Sequence, residues 1–117
     1  MSHGLPRALT RRERQVLVAM IQHANDSDGS SVSVEDRRKW LDRVVSLRVV
    51  GACACGECPS VDFSLTDRSA SRRVLSAHAD GLGLLLFIDD GQASSLEGFP
   101  VNGGVFLEFP HPDELAY

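Results

Sequence analysis

The sequence predicts an α+β domain: two N-terminal helices packed on one face of a mainly antiparallel, meander-like sheet of four to six strands. Three observations carry that expectation. Apolar residues recur at helical spacing in two stretches of the first half. In the second half they alternate with polar residues or run together, as strands require. The turns between those later stretches are short, which favours antiparallel neighbours. A chain of 117 residues fits one domain. It divides into a loose lead-in at 1–9, a folded unit at 10–110 and a tail at 111–117.

The first helix starts at Thr10. Thr10 and Glu13 have the spacing at which each side chain caps the other's backbone N–H. Val16, Leu17, Met20, Ile21 and Ala24 then share one face, and the helix ends near 23–25. Residues 26–31 are a polar loop rich in turn formers. Ser33 and Asp36 start a second helix, with Glu35 and Asp36 at the positive end of its dipole. Trp40, Leu41, Val44 and Val45 form its apolar stripe, and it should end near 46–47.

Residues 48–52 read as a strand. Val61, Phe63 and Leu65 alternate with polar neighbours as a second. Residues 72–79 read as a strand, with a short helix as the alternative. Asp80-Gly81-Leu82-Gly83 breaks the chain. The run 84–88 is apolar throughout, hence a central, well-covered strand. Asp89-Asp90-Gly91-Gln92 is a hairpin turn, and 93–99 is its returning strand. Val105, Leu107 and Phe109 alternate as a last strand before Pro110 and Pro112.

Charge and composition exclude several function classes. Residues 1–58 carry nine Arg or Lys and seven Asp or Glu, while 59–117 carry three and nine. That excess of positive charge is too small for a nucleic-acid footprint. Arg37-Arg38-Lys39, like the Arg11-Arg12-x-Arg14 run, is expected to be a solvated helix face. The longest apolar run of the second half is too short to span a bilayer, and no secretory h-region opens the chain. A cytoplasmic location follows as the expectation.

One local cluster suggests chemistry: Cys53-Ala54-Cys55-Gly56-Glu57-Cys58-Pro59. Three readings remain open. Cys53, Cys55 and Cys58 are spaced to converge on zinc, with His78 as the fourth ligand, or Asp62 or water instead. Cys55 and Cys58 have the spacing of a redox pair, but Glu57 disfavours a thiolate and no βαβ context surrounds them. Packing of the thiols as small apolar groups is the third reading. Asp89-Asp90 is explained by the turn, and Glu97 and Glu108 by solvent-facing strand positions. His23 suits a helix C-terminus, and His3 and His111 fall in terminal segments. There is no nucleophile elbow, phosphate-cradling loop or zinc-protease helix motif.

Val49-Val50-Gly51-x-Cys53-x-Cys55-Gly56-x-Cys58-Pro59-Ser60 and Asp90-Gly91-x4-Leu96-Glu97 together resemble small uncharacterised bacterial proteins of an actinobacterial type. The resemblance runs from Leu9 to about Phe99. It implies a small intracellular domain and brings no catalytic residue. The functional expectation is a non-enzymatic domain that binds a protein partner or a second copy of itself, without nucleic acid or membrane. A zinc-binding domain is the alternative, and a thiol oxidoreductase the third.

Overall fold

A computed structural model describes residues 5–52, 59–64, 72–106 and 108–117. Its elements are α1 (Arg11–His23), β1 (Asn25–Asp26), α2 (Val34–Asp42), β2 (Gly51–Ala52), β3 (Val61–Asp62), β4 (Arg72–Ala79), β5 (Leu82–Asp89) and β6 (Gln92–Pro100). Short 3₁₀ turns occupy Val44–Ser46 and Pro112–Glu114. The six strands form one antiparallel sheet in the order β1-β4-β5-β6-β3-β2. The α+β architecture with N-terminal helices on the sheet is therefore present. Strands β4, β5 and β6 are its meander, and the short strands extend it at both edges.

The parity of β5 shows how the core forms. Leu82, Leu84, Leu86 and Ile88 are all within 2% of complete burial. Leu75 and Ala77 of β4, Leu96 of β6 and Val61 of β3 lie beside them in register. The apolar faces of α1 and α2 close over this surface, with Val16, Leu17, Met20, Ile21 and Trp40 in the same cluster. Arg73 points to this side as well. Its guanidinium pairs with Asp26 at 2.9 Å and Asp36 at 3.5 Å and lies 5.7 Å from the Trp40 ring centroid. One side chain thus ties β4 to β1 and α2.

The capping box at Thr10 forms as the spacing predicts: the Glu13 N–H donates to Thr10 Oγ1 at 3.1 Å, and the Thr10 N–H donates to Glu13 Oε1 at 2.8 Å. The structure adds a partner. Arg7 donates to both Glu13 oxygens, each at 2.8 Å, and exchanges backbone hydrogen bonds with Val49. Residues 5–9 are thus tied to the fold rather than loose, and Leu9 is buried. Burial pushes the Glu13 carboxyl up, but the Arg7 guanidinium and Thr10 outweigh it and hold the carboxyl below its ordinary range. A depressed pKa of this kind contributes stability above the unfolded carboxylate's pKa, lost as pH falls through the folded value. The fall in urea midpoint from about pH 7 to about pH 3 is expected to be smaller in Glu13→Gln than in the unaltered chain. Equal falls would refute the linkage.

Several boundaries differ from the sequence expectation. α2 stops at Asp42, because the Arg43 N–H turns back to the Trp40 carbonyl and tightens the chain into the 3₁₀ turn. That tighter winding leaves Val44 buried but turns Val45 out to solvent, 77% exposed. Asn25, at the expected helix end, and Asp26, the first residue of the polar loop, are drawn into the sheet against Ser76 and Leu75. Of 48–52, only Gly51–Ala52 joins the sheet. Residues 72–79 are strand, not helix. The break before β5 is only Asp80-Gly81. Leu82 and Gly83 already lie in β5, where a Cβ on Gly83 would stand 2.3 Å from the Phe99 ring. The hairpin turn uses Asp90 at φ 51° and Gly91 at φ 85°, the paired positive values of a type I′ turn.

No last strand forms among the described residues of 105–109. The edge of β6 that such a strand would need is already paired with β3. Instead Phe106 packs against the core, and Phe109 is 2% exposed with its carbonyl accepting from Arg12 of α1. Val105, expected inside, is 59% exposed. Residues 111–117 are not a free tail either. Ala116 and His78 exchange backbone hydrogen bonds of 2.8 and 2.9 Å, and the Tyr117 ring lies 5.7 Å from that of His23.

Candidate functional site

Alternation places one set of side chains on the sheet face away from the helices. The register brings Val74, Phe87, Ser95 and Asp62 into one row, and Ser76, Leu85 and Glu97 into the next. His78, Gly83 and Phe99 form a third. Among the described residues, neither helix covers this face. Val74, Leu85 and Phe87 are half-buried, and Phe99 is 43% exposed. The apolar part is a continuous band across β4, β5 and β6.

A polar lock closes one end of the band. Arg72 Nε and Nη2 donate to the two Asp89 oxygens at 2.7 and 2.9 Å. The Ser94 hydroxyl donates to Asp89 Oδ2 at 2.5 Å. Ser94 is aimed there by the bulge opposite Phe87 and Ile88, which inserts one extra residue into β6. The Arg72 guanidinium also lies 5.1 Å from the Phe87 ring centroid. This arrangement does not resemble a nucleophilic site, because the carboxylate is already engaged by at least three donors and cannot act as a free base. It braces the β5–β6 hairpin against β4. Asp89 is therefore explained by an ion pair and Asp90 by its turn conformation, not by a shared cation.

Cys53, Cys55 and Cys58 lie outside the described residues. His78 stands exposed on β4. β5 and β6 separate β4 from β3, so about 14 Å of sheet lies between His78 and the strand that follows the cysteines. Asp62, the other side chain considered, lies on β3. It faces Gly51 in the pairing of β2 with β3, two residues before Cys53. Its Oδ1 accepts from the Ser95 hydroxyl at 3.0 Å. The described residues contain no cluster of three His, Cys, Asp or Glu able to hold a metal ion.

Glu97 and Glu108 do not form a carboxylate pair. Glu97 is exposed on the uncovered face, while Glu108 reaches Arg12 of α1 at 3.7 Å. The basic run on α2 is not uniformly solvated, since Arg37 Nη1 donates to the Ile21 and Ala24 carbonyls. The Arg72–Asp89–Ser94 lock has no sequence signal, because its first two members are joined only by the register of β4 on β5. Among the described helices none is long and apolar enough to cross a membrane. The chain matches no protein-family model, no curated protein and no solved structure.

Proposed function

We propose that the chain is a small non-enzymatic binding domain that recognises a protein partner through the sheet face opposite its helices. The observation that carries this reading is the apolar band of Val74, Leu85, Phe87 and Phe99 bordered by acidic groups. Among the described residues, Asp62, Asp89 and Glu97 stand on the strands of that face against one strand guanidinium, that of Arg72, and Arg72 is paired with Asp89. Stacking two such faces would bring like charges together, so a second copy of the chain is the poorer occupant. The better one is a protein segment with an apolar anchor flanked by Arg or Lys.

Glu97→Lys tests this without disturbing the core, because Glu97 is exposed. A partner retained from the host by the unaltered chain is expected to be lost with Glu97→Lys and with raised salt. It should persist with Val45→Lys, on the helix side. A partner indifferent to Glu97→Lys, or a stable dimer formed by the purified chain alone, would overturn the reading.

A zinc-binding domain is the second reading, favoured by the position of Asp62 beside the strand that leads into Cys53. Protein purified without chelator should then carry close to one equivalent of zinc. Less than about a tenth would exclude it, since structural zinc is held tightly.

A further inference from the structure

A second surface is independent of the sheet face. A cleft of about 570 Å³ opens between the first turn of α1, the β4–β5 turn, Phe106 and the described residues of 108–114. That volume lies within the range of small-molecule sites, about 300–1,000 Å³. Its lining includes Leu82 and Phe109, both buried, and Phe106, packed on the core. We propose that this cleft binds a small organic cation, an amine or guanidinium carried on an apolar body.

The charge balance of the walls selects that class. Among the described residues, Arg12 is the only Arg or Lys in the lining, and its guanidinium is already committed. Nη1 donates to the Phe109 carbonyl at 3.0 Å and stands 3.7 Å from Glu108 Oε1. Asp80 and Glu114 also line the cleft, and the described residues place no Arg or Lys in an ion pair with either. Glu114 Oε2 accepts only the His111 backbone N–H, at 3.0 Å. His111 Nδ1 accepts the Asp113 N–H at 3.2 Å. The cleft thus offers two carboxylates without a cation, beside an aromatic and aliphatic floor.

An anionic ligand would meet those carboxylates with Arg12 already balanced by Glu108. A bare metal ion would need converging donors, and the described residues hold no such group of three. An ammonium or guanidinium satisfies the carboxylates, its apolar body packs on the half-buried Phe106, and that ring suits a neighbouring cation. The site is distinct from the sheet face, so its fate does not depend on the partner proposed above.

The test is an amide-resolved NMR titration of the full chain with phenethylamine and, separately, with 3-phenylpropionate, which has a similar body and the opposite charge. Phenethylamine is expected to shift Leu82, Phe106 and Phe109 in a saturable manner. The double variant Asp80→Asn and Glu114→Gln should weaken it by about tenfold or more, equivalent to about 1.4 kcal/mol. Both substituted residues are exposed, and the spectrum itself reports whether the variant is folded. Binding of both probes alike, shifts centred elsewhere, no saturable shift, or an unchanged affinity in the double variant would each overturn the proposal.

Discussion

Leu86→Ala is expected to destabilise the protein by about 2–5 kcal/mol, toward the upper end of that range. Leu86 is completely buried in the central strand, between Leu75 of β4 and Leu96 of β6 on the same face. Strands hydrogen-bonded on both sides cannot close over the space left by the lost atoms, so the cavity persists. The melting temperature should fall by roughly 10 °C or more. Leu85→Ala is the control. It is the same substitution one residue away, at a half-buried position on the opposite face. Its cost should be smaller, about 1 kcal/mol. A shift of β5 by one residue would exchange the two positions and reverse the ranking. Urea denaturation followed by Trp40 fluorescence separates them. Equal costs, or a larger cost for Leu85→Ala, would show that β5 does not sit in this register.

Arg37→Ala is expected to cost about 1.5–3 kcal/mol, the usual worth of hydrogen bonds to a charged group. Arg38→Ala, its neighbour, should remain within about 0.5 kcal/mol. The last carbonyls of a helix have no partner within it, and that end of the dipole attracts cations. α1 ends at Ala24 in extended backbone, with no glycine cap. Arg37 takes over that role, donating to the Ile21 carbonyl at 2.9 Å, the Ala24 carbonyl at 2.8 Å and Asn25 Oδ1 at 3.2 Å. The same side chain fastens α2 to the end of α1. Arg37→Lys should recover only part of the loss, because an ammonium cannot reproduce the planar fork. Denaturation midpoints of the three variants decide this, and equal responses at 37 and 38 would remove the capping role.

The elements legible in the sequence were those whose signals lie within a few residues. Thr10 with Glu13 and Ser33 with Asp36 announce helix starts, because capping joins residues three apart. Asp90-Gly91 announces a hairpin, because positive φ restricts the residues that fit. The run at 84–88 announces a central strand, and the structure places it there, although the helices cover only its Leu84, Leu86 and Ile88 face and leave Leu85 and Phe87 half-buried on the other. The end of α2 and the path of 105–109 were not legible. Both depend on competition for space: the tightening turn at Arg43 in one case, an edge already held by β3 in the other.

The candidate surfaces follow the same division. The sequence indicated that two helices would cover one side of an antiparallel sheet, and hence that another face would remain. It did not indicate which carboxylates stand on that face, because Asp62, Asp89 and Glu97 are brought together only by strand order and register. The cleft was invisible for the same reason, since its walls come from Arg12, from Ala79, Asp80 and Leu82, and from Phe106, residues 108–111 and Glu114.

Sequence alone therefore determined the class of fold, the helix starts, the hairpin and the identity of most core residues. Those properties arise from local backbone preference and the burial of apolar side chains. Tertiary structure alone decided that Arg37 caps α1 while Arg38 does not, that Arg7 and Ala116 pin both terminal segments, and that unpaired acidic groups gather at a cleft. Each of those depends on contacts between residues far apart in the chain, where hydrogen-bond geometry and charge balance exist only once the chain has folded.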